Sequence, residues 1–120
     1  MVSPPPDAAT LQSRLNQAIT LHQQGQLAQA DALYAEVLAH QPGHAMAWQL
    51  RGVVLAQAGQ PEQALPMVDQ ALALRPDVAE IHNNRGMVLQ QLRRFEEAAA
   101  SHAQAVALKP ALVHALNNTG

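Results

Sequence analysis

Histidines are the first residues in this chain to consider for metal or acid–base chemistry, and there are six of them. His40 and His44 have the four-residue spacing that places two side chains on one face of a helix. Pro42 and Gly43 lie between them, however, so the two histidines are not expected to share a helix. No other pair has ligand spacing, and zinc is usually held by four fixed ligands. We therefore expect no metal site.

Motifs for catalysis are equally scarce. Ser101 and His102 are adjacent, and neighbouring side chains on a helix diverge. The chain has no cysteine, no glycine-rich phosphate loop and no paired carboxylates that stand out from chance. We expect no catalytic residue and no cofactor, and we expect that this chain is not itself an enzyme.

Charge and hydropathy argue against two classes of partner. The formal net charge is −2, and seven Lys and Arg residues form no basic stripe of the kind that binds nucleic acid. No apolar run approaches the roughly 20 residues of a membrane helix. The first six residues lack both the cationic start and the apolar stretch of a signal peptide. We expect no nucleic acid, no membrane contact and a cytoplasmic location.

The composition indicates which elements must position any binding residues. Alanine, leucine and glutamine supply nearly half of the 120 residues, and one Trp, one Tyr and one Phe are the only aromatics. β-Branched residues are few, which disfavours a sheet. Small and aliphatic side chains suit closely packed helices. The fold class is predicted to be all-α.

A 34-residue repeat organises the chain, because Pro42, Pro76 and Pro110 are each 34 residues apart. Three units follow, at 11–44, 45–78 and 79–112; the second and third agree at 13 of 34 positions, the first and second at 9. A partial fourth unit spans 113–120. We expect a flexible proline-rich N-terminus over 1–7 and one repeat domain over 8–120.

Each unit is predicted to form two helices joined by a tight turn. In the second unit these run over about 45–58 and 62–75, and proline ends the second helix. Gly25 and Gly59 are placed where a helix end needs a left-handed residue. Asp7 and Asp77 are expected N-caps.

Three side chains carry more specific expectations. Trp48 is expected to be largely buried where the first and second units meet. Gly52 is expected in a tight contact between the two helices of its unit. Pro66 is expected to bend its helix mildly on the solvent side.

A 34-residue helix–turn–helix unit with small residues in phase resembles the tetratricopeptide repeat. The matching residues are Ala18, Leu21, Ala30, Tyr34 and Pro42, then Trp48, Gly52, Leu55, Ala64, Ala71 and Pro76, then Gly86, Leu89, Ala98, Ala105 and Pro110. The sequence departs from the family pattern at three features. Arg51 and Arg85 replace a usual leucine, His102 replaces a usual aromatic, and the third turn, 92–95, lacks glycine.

The resemblance implies a right-handed α-solenoid of three full units plus a partial fourth. The first helix of each unit would line the concave face. It also implies a protein–protein interaction scaffold that binds a peptide or protein segment in that groove. Amide side chains dominate the implied face, and amides both donate and accept hydrogen bonds. The proposed peptide-binding residues are Asn16, Gln49, Gln57, Asn83, Asn84 and Gln91. The alternative is that these amides are simply solvated on exposed helices.

Family members that bind chaperone C-termini use a clamp of lysine, asparagine and arginine. The corresponding places here hold Leu15, Ile19, Leu50, Glu80 and Asn84. No cation is among them, and Glu80 would repel a carboxylate. We therefore predict that chaperone tails are not ligands.

Other polar residues have two interpretations each. Arg51 and Arg85 either contact a ligand or pair with an acid on a neighbouring helix, and we favour the pairing. His102 is expected to be half-buried between helices.

Two alternative functions remain. Residues 21–27 and 52–55, with Tyr34 and His44, resemble the N-terminal arms of bacterial tetratricopeptide proteins that continue into glycosyltransferase or sulfotransferase domains. Such an arm would recruit substrate for the larger enzyme.

The second alternative is a self-assembling scaffold. The partial fourth unit has one helix without its partner, so weak head-to-tail stacking or exchange of that helix is expected. An apolar surface around Leu11, Leu15 and Ala18 would receive it.

Overall fold

A computed structural model describes residues 6–109. It contains six α-helices: α1 (Ala8–Gln23), α2 (Leu27–His40), α3 (Ala45–Gln57), α4 (Pro61–Leu74), α5 (Ala79–Gln91) and α6 (Phe95–Leu108). Residues 6–109 include no strand. The all-α prediction is therefore confirmed. The predicted seventh helix from about 112, the partial unit 113–120 and residues 1–5 lie outside the described residues.

The helices pack in sequence as a solenoid. Each unit pairs its two helices, α1 with α2, α3 with α4 and α5 with α6. Successive pairs are joined because α2 packs on α3 and α4 packs on α5. The apolar core follows this order: one cluster of buried residues centres on Tyr34 and Val37, and the next centres on Val68 and Ile81.

The three turns within the units share one geometry. After each first helix, one residue has positive φ: Gly25 at 80°, Gly59 at 80° and Arg93 at 62°. The amide of the following residue returns to the carbonyl near the helix end, and Gln60 N to Leu55 O is 2.9 Å. This is a Schellman C-cap, in which glycine avoids the Cβ clash of left-handed backbone. The predicted roles of Gly25 and Gly59 are confirmed, and Arg93 adopts the same conformation without glycine.

The N-cap predictions have mixed outcomes. Asp7 caps α1, since its Oδ1 accepts from the Thr10 amide at 2.8 Å. That hydrogen bond lowers the pKa of the Asp7 carboxyl. The prediction for Asp77 is wrong, because Val78 occupies the N-cap of α5 and offers no side-chain acceptor. Asp77 instead lies 3.6 Å from Arg75 Nε.

Small residues allow the two helices of a unit to approach. A Cβ added to Gly52 would lie 2.5 Å from Val68 Cγ2 and 3.3 Å from the Ala64 carbonyl oxygen. In the next unit a Cβ on Gly86 would lie 2.5 Å from the His102 ring. The predicted tight contact at Gly52 and the half-buried place of His102 are confirmed. Pro66 is exposed within α4, which continues past it to Leu74.

Candidate functional site

A cleft of about 380 Å³ opens between the first helices of the second and third units, α3 and α5, which pack directly against each other. We name it the α3–α5 cleft. Its lining residues are Val53, Ala56, Gln57, Asn84, Met87, Val88, Gln90 and Gln91. None of them is charged. Its volume falls in the lower part of the range of about 300–1,000 Å³ found for ligand pockets.

Helical periodicity explains why these residues share one surface. On α5, Asn84, Met87, Val88 and Gln91 follow the i, i+3, i+4, i+7 pattern of one helix face. On α3, the residues Val53, Ala56 and Gln57 follow the same pattern over a shorter span. Val88 is buried, whereas Met87 is 52% exposed. The cleft thus combines a buried aliphatic base with an exposed thioether and exposed amides.

Three of the six predicted peptide-binding residues line this cleft together: Gln57, Asn84 and Gln91. The other three do not line it. Asn83 accepts a hydrogen bond from His102 Nδ1 at 2.9 Å, and Asn16 accepts one from Gln12 at 3.1 Å. Gln49 is half-buried on α3 away from the cleft lining.

Amide side chains also bridge neighbouring first helices, at matching places in successive units. His22 on α1 lies 2.7 Å from Gln57 on α3, through Nε2 and Oε1. One repeat later, Gln91 Nε2 on α5 donates to the Ala56 carbonyl oxygen on α3 at 3.2 Å. Both pairs are 35 residues apart in sequence. We call the contact of α1 with α3 the first junction and that of α3 with α5 the second junction.

A short polar chain continues from the first junction into the core. Because Gln57 Oε1 can only accept, His22 Nε2 donates, and in the neutral imidazole Nδ1 is then an acceptor. The Tyr34 hydroxyl lies 3.4 Å from that Nδ1. Tyr34 is fully buried, and burial raises the pKa of its hydroxyl to about 12.

Equivalent repeat positions at the two junctions carry side chains of different size. His22 and Ala56 are 34 residues apart and so occupy equivalent places. The imidazole of His22 reaches across the first junction, whereas the methyl group of Ala56 leaves the space that becomes the α3–α5 cleft. Sequence periodicity contained this signal, but only the structure shows that this position borders the groove.

A second repeated contact was not predicted. Trp48 Nε1 donates to the Pro42 carbonyl oxygen at 2.8 Å, and His82 Nε2 donates to the Pro76 carbonyl oxygen at the same distance. Both rings therefore anchor the loop that precedes their unit. Trp48 packs between the first two core clusters with only a minor part of its surface exposed, so its expected burial where the first and second units meet is confirmed. Its hydrogen bond holds the indole edge near solvent.

The repeated arginines pair with acids across helices. Arg51 Nε lies 2.8 Å from Asp31 on α2, and Arg85 Nε lies 2.7 Å from Asp69 on α4. Arg85 also donates to the Ser101 hydroxyl at 2.8 Å. Both side chains are only about a quarter exposed, and neither lines the α3–α5 cleft. The pairing interpretation is confirmed.

Within 6–109, no three histidine, cysteine or acidic side chains gather where they could hold a metal ion. In the same range no helix is long and apolar enough to cross a membrane.

Comparison with known families identifies the family of this chain. The tetratricopeptide-repeat family model matches residues 15–65 and again residues 51–112, together most of the sequence. The chain belongs to the tetratricopeptide-repeat family. No curated protein matches it.

Solved structures agree with this family at the level of the fold. The first tetratricopeptide domain of Spaghetti (RPAP3), bound to the HSP90 peptide SRMEEVD, superposes with a TM-score of 0.83 at 18% identity. That match covers 87% of this tetratricopeptide chain and 82% of the other. MamA from Desulfovibrio magneticus RS-1 has a TM-score of 0.78 and 26% identity. There the match covers 83% of this chain and 56% of MamA, so this chain spans little more than half of that protein.

Proposed function

We propose that this tetratricopeptide chain is a non-catalytic interaction scaffold that binds a peptide or an extended protein segment on its concave face, at the α3–α5 cleft. The observation that carries the proposal is the cleft itself. It brings Gln57, Asn84 and Gln91 around an apolar base formed by first helices, which line the concave face in this family. The family and its peptide-bound structural neighbour support a peptide as the class of ligand.

The amides at the cleft suit an extended backbone. A peptide backbone offers alternating N–H donors and C=O acceptors, and each amide side chain can satisfy either. Asn84 makes no side-chain hydrogen bond within residues 6–109, so both its donor and its acceptor are open to a ligand.

The ligand is proposed to differ from the HSP90 peptide of the structural neighbour. Leu15, Ile19 and Leu50 are aliphatic where chaperone-tail binders carry polar clamp residues. The arginines on helices near the groove, Arg51 and Arg85, are already paired with acids. This chain is therefore proposed to act on a partner other than a chaperone tail.

Selection from a displayed library of random 12-residue peptides tests the function. Peptides recovered on the wild-type chain should lose at least tenfold in affinity with Asn84→Ala or Gln91→Ala. Gln70→Ala, an exposed glutamine on α4, is the matched control and should leave affinity unchanged. Recovery of no specific peptide, or equal loss with the Gln70 control, would count against the proposal.

Self-association is a second proposal, and the structure narrows it. Val106 and Leu108 on α6 are each 43% exposed, which supports an apolar surface at that end. The expected receiving surface at the other end is wrong, because Leu11, Leu15 and Ala18 are buried within the first unit. Exchange of the segment after residue 109 is thus favoured over head-to-tail stacking. Sedimentation at increasing concentration tests it, and a strict monomer would rule it out.

A further inference from the structure

We infer that the α3–α5 cleft is a single anchor subsite, which takes one leucine- or methionine-like side chain from an internal, uncharged stretch of the bound segment. This inference rests on the proposed function and specifies its ligand. The two junctions of the groove, the chemistry of the lining and the charges nearby support it independently.

The lining selects for an apolar side chain. Val53, Ala56 and Val88 provide aliphatic surface, and Val88 is only 2% exposed. Met87 adds an unbranched thioether that is half-exposed and can adjust its rotamer to an entering group. Removing apolar surface from water is the main favourable contribution available here.

Charge disfavours both ionic side chains and a terminal carboxylate. No lining residue is charged, so an ionic group entering the cleft would lose water without gaining a partner. Glu80 lies one helical turn before Asn84 on α5, and its carboxylate would repel a peptide C-terminus. An internal segment carries no terminal charge.

The two described junctions differ at places that border the groove. At the first junction His22 spans the space that Ala56 leaves open at the second, and Leu50 stands where Asn84 stands. A ligand therefore meets the imidazole of His22 over the first junction and the cleft beside Ala56 over the second.

The hydrogen bonds already made by the amides orient the ligand. Gln91 Nε2 is occupied by the Ala56 carbonyl, which leaves Gln91 Oε1 as an acceptor. Gln57 Oε1 is occupied by His22, which leaves the Gln57 amide group as a donor. The two sides of the cleft thus present opposite hydrogen-bonding character, which matches an N–H and a C=O of one backbone.

The test uses blocked peptides and the methionine methyl groups of the whole chain. The probes are acetyl-Gly-Ser-X-Ser-Gly-amide with X as leucine, methionine, serine, aspartate or lysine, together with a form ending in a free C-terminal leucine. Carbon-13 labelling of methionine methyl groups makes Met87 the reporter in the cleft. Met46 and Met67 lie outside its lining and are internal references.

The leucine and methionine probes should shift the Met87 methyl signal saturably, with Kd at least tenfold below that of the serine, aspartate, lysine and free-carboxylate probes. Ala56→His introduces the side chain of the first junction and should raise Kd at least tenfold. Ala73→His, on the exposed face of α4, is the matched control and should not change it. Circular dichroism melting of both variants shows whether each is folded.

Three results would overturn the inference: no shift of Met87 with any probe, equal affinity for charged and aliphatic probes, or unchanged binding in a folded Ala56→His variant. Failure of this subsite can be told apart from failure of the function. If library-selected peptides still depend on Asn84 but ignore Ala56→His, the scaffold function stands and the anchor is wrong. If Ala56→His unfolds, the probe series on the wild-type chain decides by itself.

Discussion

The two junctions between first helices are built on the same backbone plan and differ in the side chains that border them. At the first, His22 connects the Tyr34 hydroxyl in the core to Gln57 at the surface. At the second, Ala56 offers only its carbonyl oxygen, and Gln91 reaches down to it. The bridge between first helices is kept in both cases, while an imidazole stands beside it in one and a cleft opens beside it in the other.

This difference shows that the bridge between units and the space beside it depend on different residues of the repeat. The bridge needs only a glutamine at one position, since a side chain or a backbone carbonyl can serve as its partner. The neighbouring position is then free to vary in size without loss of the bridge. The size of the side chain at that position can therefore change the space between units while the bridge is kept.

The largest disturbance of packing is expected from displacing α3, the helix that both junctions share. Gly52→Leu would push α3 from α4, because even a Cβ there meets Val68 and the Ala64 carbonyl. We expect a loss of about 1–3 kcal/mol in the free energy of unfolding. Gly86→Leu should cost less, since the nearest atoms there belong to the half-buried ring of His102, a side chain that can move more easily than the backbone near Gly52. Urea unfolding measures both, and equal losses would contradict the difference between the units.

Raising the pH above 10 should lower the free energy of unfolding through Tyr34, which belongs to the first junction. Valine stands at the place of Tyr34 in the second unit, so only the first has a buried phenol. The folded state raises the pKa of Tyr34 from 10.0 to about 12, so the unfolded chain ionises first. Stability from this group is complete below pH 10 and is lost as pH rises from 10 to 12, by about 2–3 kcal/mol. Tyr34→Phe should remove this dependence in unfolding measured across that range.

His22→Ala should remove the imidazole from the first junction and leave an alanine there, as at the second. We expect a loss of about 1–2 kcal/mol in the free energy of unfolding, because the exposed Gln57 amide and the buried Tyr34 hydroxyl each lose a hydrogen-bond partner. We also expect a second apolar cleft, so the stoichiometry of the leucine probe should rise from one to two. Isothermal titration measures this number. An unchanged stoichiometry would mean that Ile19 and Leu50 keep the first junction closed without the imidazole.

The smallest effect concerns the turn that follows the second junction. Arg93 holds a left-handed conformation that glycine holds in the other two units, at a cost of about 1 kcal/mol for a residue with a Cβ. Arg93→Gly should therefore stabilise the chain by up to about 1 kcal/mol, partly offset by the entropy of glycine in the unfolded state. Gly59→Ala should have the opposite sign. Thermal melting of the pair tests the shared turn geometry.

Much of the fold could be read from the sequence because it is local and periodic. The helix pattern, Gly25, Gly59 and the tight contact at Gly52 each depend on spacing within one unit. Asp77 shows where local reasoning fails: it has a good N-cap side chain, but the helix begins one residue too late to use it. Trp48 was expected to be largely buried and is, but its residue type could not reveal the hydrogen bond to the Pro42 carbonyl oxygen.

The candidate site was harder to predict because it depends on which side chains meet across units. Gln57, Asn84 and Gln91 could be selected by helix phase. The same phase could not show that Asn83 turns to His102, or that Gln91 is held by a backbone carbonyl. The cleft is bordered by Ala56, whose small side chain leaves room between the helices.

The 35-residue bridge has a consequence for lengthening the protein. Each polar bridge joins adjacent units only, and stability in such arrays is close to a sum of units and nearest-neighbour contacts. Duplicating residues 45–78 in tandem would place a second copy of Gln57 where Gln91 now meets Ala56. The array would gain one more bridge and one more alanine-bordered cleft. A segment with two apolar side chains spaced to match the clefts could then bind bivalently. Its avidity would depend on how well the length of chain between those side chains matches the distance between the two clefts.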